Sequence, residues 1–190
     1  MSTILLKFEE PPTSLHEYAQ VPSIFTIPSI LEVREFPGGF ALEERPISHA
    51  REKNYDDFEA PPKWAEQFNL SHWCMISAFT DGGERAGGCI VAYDTDGLDM
   101  LEGRQDITVL WDIRVAPAYR RRGIATRLFT AALEWSRERR CIGMKIETQN
   151  NNVAACRFYA AQGCFLVAVN PFVYREFPDE TQLIWYKPIR

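Results

Sequence analysis

The chain has 190 residues, 46% of them hydrophobic and 25% charged, with a formal net charge of −5. That is an ordinary globular composition with room for one domain and a substantial core, and its acidic balance argues against general nucleic-acid binding, which is built from surplus Lys and Arg. No apolar run is long enough to span a bilayer, and the start M-S-T-I-L-L-K-F-E-E lacks a basic region and a cleavage site, so a cytoplasmic protein with no membrane partner is expected.

Residues 1–29 carry Pro11, Pro12, Pro22 and Pro28 with little periodicity. They read as an irregular segment ahead of a domain over residues 30–190. Residues 30–34 and 39–45 read as an opening hairpin around Phe36-Pro37-Gly38-Gly39. A charged segment over residues 48–59 follows, then a short helix from Pro62 to Phe68 with Trp64, Ala65 and Phe68 inward. Residues 73–80 and 86–93 form a hairpin about Asp81-Gly82-Gly83-Glu84, and Gly87-Gly88 marks a bulge or a close backbone approach. Residues 94–106 are polar and turn-rich.

Val109, Trp111, Ile113 and Val115 alternate with Leu110, Asp112 and Arg114 at the period of a strand, which Pro117 ends. From Ile124 the apolar residues Leu128, Phe129, Ala132, Leu133 and Trp135 recur every three to four positions, the spacing of an amphipathic helix. Strand 143–148, helix 153–162, strand 165–169 and strand 182–187 complete the chain. The pattern is a mixed α/β (α+β) fold with a central sheet of about six to seven strands and flanking helices.

Between the central strand and its helix stands Arg120-Arg121-Arg122-Gly123-Ile124-Ala125. A helix start leaves several N–H groups without internal partners, all pointing out along the axis. Gly123 admits backbone angles closed to other residues and lets a ligand reach the main chain, while the positive end of the helix dipole favours a phosphate. Basic residues concentrate between Arg114 and Arg140, and acidic ones lie to either side, at Glu43, Glu44, Glu52, Asp56, Asp57 and Glu59 and again at Glu176, Asp179 and Glu180. An anion-binding middle with acidic margins suits a negatively charged cofactor and a cationic acceptor.

Arg120, Gly123 and Ala125 match the Q/R-x-x-G-x-G/A pyrophosphate loop of the GNAT N-acetyltransferase superfamily, with Ala125 where many members carry Gly. Asn152, Ala155, Phe158, Tyr159 and Gly163 match its later block N-x-x-A-x-x-F-Y-x-x-x-G-F, from which Cys164 departs. The chain therefore resembles that superfamily. The resemblance implies acetyl-CoA as cofactor, a splayed central strand pair and direct transfer of acetyl to an amine. It also implies backbone contacts from Arg121, Arg122, Gly123, Ile124, Ala125 and Thr126 to the pyrophosphate and pairing of the Val115 main chain with the pantetheine arm. The side chains of Arg120, Arg121 and Arg122 divide between phosphate contact and solvated charge. Asn152 divides between a helix cap and the cofactor arm, beside Ala155.

The resemblance makes Tyr159 the general acid for the departing thiolate, against a plain packing role. Asp112 is the leading candidate for general base, although it stands on the face opposite Val115 and could instead hold Arg114; Glu147 is the other candidate. The run I-E-T-Q-N-N-N-V-A-A-C-R-F-Y and the tail F-P-D-E-T-Q-L-I-W-Y-K resemble streptothricin acetyltransferases, which implies a small-molecule cationic amine as acceptor. Asp179, Glu180, Tyr174 and Trp185, with Glu147, would then wall the acceptor. A protein lysine or N-terminal acetyltransferase, and a non-catalytic acyl-CoA sensor, stay open, as does a homodimer. Five cysteines without a C-x-x-C pair read as reduced thiols, and three scattered histidines give no metal site.

Overall fold

In the computed structural model, which describes residues 3–189, the stretch expected to be irregular instead opens with strand β1 (Ile4–Glu9) and helix α1 (Pro11–Tyr18). Of the four prolines that argued against a folded unit, Pro11 and Pro12 occupy the first helical positions, where a missing N–H costs nothing, and Pro28 lies within β2. Leu15 and Tyr18, three residues apart, are the helix's main apolar anchors, too few to show a period. Strands β2 (Ile24–Phe36) and β3 (Gly39–Asn54) then form a ribbon that runs well beyond the short hairpin expected. Most of β3 faces solvent, so it lacks the alternating apolar pattern of a half-buried strand, and residues 48–54 of the charged segment are strand.

The rest follows as helix α2 (Trp64–Gln67), β4 (Cys74–Thr80), β5 (Arg85–Ala92), β6 (Ile107–Val115), helix α3 (Ile124–Glu138), β7 (Gly143–Gln149), helix α4 (Val153–Ala161), β8 (Phe165–Pro171) and β9 (Thr181–Pro188). Seven strands belong to the main sheet, and β2 and β3 make a separate two-stranded one. By contacts the chain divides into two compact units, one of residues 3–23, 54–144 and 189, the other of residues 24–53 and 145–188.

In the first unit β1, β4, β5 and β6 pair antiparallel in that order. Opposite β5 the register of β6 slips: Val91 faces Leu110 while Ile90 faces Asp112, so Trp111 is an extra residue. This bulge breaks the strict alternation read from the sequence. It brings Val109 onto the face of Asp112 and Arg114, while Leu110 joins Ile113 and Val115. On the Asp112 side, Tyr18, Trp64, Met75, Ile90, Ile107 and Val109 belong to one buried cluster, against which Trp111 and Phe68 pack. Helix α3 turns Ile124, Leu128, Phe129, Ala132 and Trp135 inward against β4, β5 and β6. Each large apolar side chain so buried contributes about 1.5–3 kcal/mol. Gly87 and Gly88 mark a close approach: a Cβ on Gly87 would lie 2.6 Å from the Arg114 carbonyl oxygen, and one on Gly88 2.7 Å from the Tyr18 ring.

In the second unit β8 and β9 pair antiparallel, with β7 beside β9. Asn150, buried at the end of β7, ties three segments together. Its N–H donates to the Thr181 carbonyl at 3.0 Å and its Oδ1 accepts from the Thr181 N–H at 2.9 Å. Its carbonyl accepts from the Leu31 N–H at 2.8 Å, and its Nδ2 donates to the Leu31 carbonyl. Buried polar groups this well satisfied fix one arrangement of the chain.

Candidate functional site

The basic turn ahead of α3 is built from two left-handed residues, Arg121 (φ 64°) and Gly123 (φ 76°). No side chain caps the helix, and its first bond runs from the Arg127 N–H to the Gly123 carbonyl at 3.1 Å. The amides of Ile124, Ala125 and Thr126 therefore find no acceptor inside the helix and point out of its end. A Cβ built on Gly123 would meet nothing within 4 Å. Free amides, a helix dipole and open space above a glycine fit a diphosphate group.

The arginines around this turn are not equivalent. Arg120 folds back and donates through Nε to the Val115 carbonyl at 3.0 Å, at the strand end expected to pair with a cofactor arm. Arg122 stacks over the Tyr119 ring at 5.3 Å, and the Tyr119 hydroxyl donates to Glu84 at 2.5 Å. Arg121 is exposed.

Asp112, the leading candidate for general base, is instead held in a buried ionic network. Its Oδ2 accepts from the Tyr18 hydroxyl at 2.5 Å and from Arg114 Nε at 2.7 Å. Arg114 Nη1 also donates to Asp56 at 3.0 Å and to the Val21 carbonyl at 2.9 Å. The Arg114 side chain is only 3% exposed. With Oδ2 already accepting two hydrogen bonds inside this network, the Asp112 carboxylate is engaged in orienting Arg114 and Tyr18. Burial first, and then the Asp112 charge, push the Tyr18 phenol well above its usual range, so it remains a donor. Tyr18 and Asp56 escaped sequence reasoning because one lay in a segment read as irregular and the other in a charged run that looked solvated.

In the second unit, Asn152 accepts from the Ala155 N–H at 3.2 Å and caps α4, the first of its two expected roles. Neighbouring Asn151 is buried with both amide atoms unpaired. Tyr159 is 5% exposed, on the inward face of α4 with Val153 and Cys156, its ring centroid 5.2 Å from that of Phe158.

Glu147, half-buried on β7, accepts from the Tyr174 hydroxyl at 2.6 Å and from Gln182 Nε2 at 2.7 Å, and Gln149 Nε2 donates to the Tyr174 oxygen at 2.8 Å. Both partners of this carboxylate are neutral, and it has no cationic one among the described residues. Two of the four other residues expected to wall an acceptor are turned away. Glu180 is buried in an ion pair with Lys53 at 2.5 Å, and Trp185 is buried with Nε1 donating to Thr148 Oγ1 at 2.9 Å. Trp185 takes an inward position of β9, which begins at Thr181, whereas Glu180 stands just before the strand and is drawn in by its ion pair with Lys53. Asp179 lies exposed on the preceding loop. Gln182, which completes the Glu147 cluster, carried no signal because a glutamine in a strand looks like any solvated position. No described helix is long and apolar enough to cross a membrane.

Residues 35–164 match the model of the Acetyltransferase (GNAT) family. Streptothricin acetyltransferase A of Bacillus subtilis (strain 168) is 40% identical over 77 residues, which span 40% of this chain and 44% of that protein. Streptothricin acetyltransferase of Escherichia coli is 26% identical over 184 residues, 95% of each chain. Among solved structures, a putative streptothricin acetyltransferase from Bacillus anthracis in complex with acetyl coenzyme A superposes with a TM-score of 0.78. At 22% identity over 98% of this chain and 99% of that one, it shows the shared fold.

Proposed function

Since the chain belongs to the Acetyltransferase (GNAT) family, whose members use acetyl-CoA, we propose that it moves acetyl from acetyl-CoA directly to a primary amine of a small cationic acceptor of the streptothricin type. The observation that carries the acceptor class is Glu147, a carboxylate oriented by two neutral donors with no cationic partner among the described residues. Each of its oxygens keeps a lone pair for an incoming ammonium. The two relatives named streptothricin acetyltransferases support the same class.

When bound, acetyl-CoA supplies an activated acetyl thioester. The amides of Ile124, Ala125 and Thr126 would hold its diphosphate, with Arg121 adding attraction, and the β6 main chain at Val115 would align its arm. A β6 main-chain N–H would donate to the thioester carbonyl oxygen. Glu147 binds the ammonium and takes its proton, so that the neutral amine attacks. The Tyr159 hydroxyl would give a proton to the departing sulfur and regain one from the nitrogen, which sheds it as the amide forms. Asp112 has no proton-transfer role in this scheme; it keeps Arg114 and Tyr18 in place.

A thiol-release assay over a panel of amines tests this reading, with streptothricin, polyamines, lysine peptides and free protein N-termini as acceptors. The protein's own thiols stay silent in it: all five cysteines are buried, and burial pushes Cys74 to about 12 and Cys156 and Cys164 to about 11. Release with streptothricin and not with peptides is expected. Preference for peptides would make the chain a protein acetyltransferase, and acetyl-CoA binding without release by any amine would make it a sensor.

A further inference from the structure

The loop between β8 and β9, residues 172–180, carries Tyr174 to Glu147, and two of its side chains anchor it to the rest of the second unit. One is Tyr174, whose hydroxyl donates to Glu147 at 2.6 Å. The other is Glu180, 2.5 Å from the Lys53 ammonium at the end of β3, with the two side chains 7% and 10% exposed. Lys53 also lies 4.6 Å above the Phe177 ring. Between the anchors the loop winds through two turns, the Phe177 N–H bonding to the Tyr174 carbonyl at 3.0 Å and the Glu180 N–H to the Phe177 carbonyl at 2.9 Å. Upstream it is loosely held: Phe172 is 81% exposed with φ 65°, and Val173 is 48% exposed.

We infer that Lys53 is a positioning residue for acceptor binding, its ion pair with Glu180 holding the loop where the Tyr174 hydroxyl meets Glu147. This rests on the reading of Glu147 as the group that receives the acceptor's ammonium. The physical argument turns on Glu180. A buried carboxylate that loses its cation must reach water, because an unpaired buried charge is among the costliest arrangements in a fold. Glu180 reaches water by lifting the loop that contains it. Tyr174, linked to it through the two turns, lifts as well, and Glu147 loses the donor that fixes one of its oxygens. Lys53 thus acts on the acceptor without touching it, through the loop and not through the cofactor.

The test uses the full chain with Lys53→Met, Lys53→Arg, Tyr174→Phe and the double variant Lys53→Met/Tyr174→Phe. Thiol-release kinetics with streptothricin should show Lys53→Met raising the acceptor KM about tenfold or more, with the acetyl-CoA KM within about twofold of wild type. Lys53→Arg, which keeps the charge, should restore most of the acceptor KM. The double variant should be no worse than the poorer single one, since both act on the same contact. Hydrogen exchange, read without any acceptor, should quicken over residues 172–180 in Lys53→Met and stay native over α3. Unchanged exchange there, or an unchanged acceptor KM in an active enzyme, overturns the inference and leaves the acetylation reading intact. A wild-type chain that acetylates no amine overturns both.

Discussion

Arg114 donates through Nε to Asp112 Oδ2 at 2.7 Å, two residues apart on β6 and on the same face of the sheet. Burial alone would favour loss of the guanidinium proton, but the charge of Asp112, its hydrogen bond to Arg114 and the charge of Asp56 outweigh it and hold Arg114 firmly protonated. Because Arg114 also reaches Asp56 and the Val21 carbonyl, one side chain ties the end of α1 and the segment after β3 to the central strand. Arg114→Met should leave two carboxylates facing each other without a cation and destabilise the fold by about 3–5 kcal/mol in urea titration. Asp112→Asn separates a structural role from catalysis. The expected outcome is a lower unfolding midpoint and a pH–rate profile of wild-type shape. A native midpoint with loss of the acid-side limb would instead make Asp112 the base.

At the start of α3, Gly123→Ala should separate binding from stability. The alanine must adopt φ near 76°, which costs about 1–2 kcal/mol. Its Cβ meets no protein atom within 4 Å, so packing is undisturbed. The new methyl instead enters the open space above the free amides. Calorimetry should therefore show acetyl-CoA affinity falling at least tenfold while the melting temperature drops by only a few degrees. Unchanged affinity would remove the diphosphate from this turn.

This turn was legible in the sequence because its chemistry is local: a glycine, a helix start and adjoining arginines are neighbours along the chain. The Tyr159 helix and the Asn152 cap were legible for the same reason. What escaped depends on residues far apart in sequence. Tyr18 reaches Asp112 across 94 positions and Lys53 reaches Glu180 across 127, and neither side of such a pair announces the other. The bulge at Trp111 was hidden too, since Val109 to Val115 alternates in sequence whether or not one residue is skipped in pairing. Trp185 and Glu180 misled in the opposite direction: aromatic and acidic residues beside a loop resemble a cation site until the core claims them.

Stability at low pH should depend on Glu9, at the end of β1. Partial burial pushes its carboxyl up, but hydrogen bonds from Arg85 and Ser77 and the charges of Arg85 and Lys7 outweigh that and hold it below its usual 4.5. A carboxyl lowered on folding stabilises the fold above its unfolded value and loses that contribution as pH falls through the folded one. The contribution is thus complete above about pH 4.5 and disappears below it. Being partly exposed, the pair contributes no more than about 1 kcal/mol. Denaturation between pH 5.5 and 3 should show Glu9→Gln losing less stability than wild type. Parallel curves would remove Glu9 from the acid transition.

Tyr159 offers the sharpest division between packing and chemistry. Its ring is 5% exposed, on the inward face of α4, so Tyr159→Phe keeps nearly all of the buried surface and changes only the hydroxyl. If the hydroxyl protonates the departing sulfur, turnover should fall by about 10²–10⁴-fold, the usual worth of a positioned acid, while acetyl-CoA affinity stays within about twofold. The loss should also shrink as the departing thiol becomes more acidic, because a weakly basic thiolate leaves without help. Replacing acetyl-CoA with an acetyl thioester of lower thiol pKa, and comparing the two enzymes, reads this directly. A variant whose turnover matches wild type with both thioesters would make Tyr159 a packing residue. An equal deficit with both would make it one that orients the arm without moving a proton.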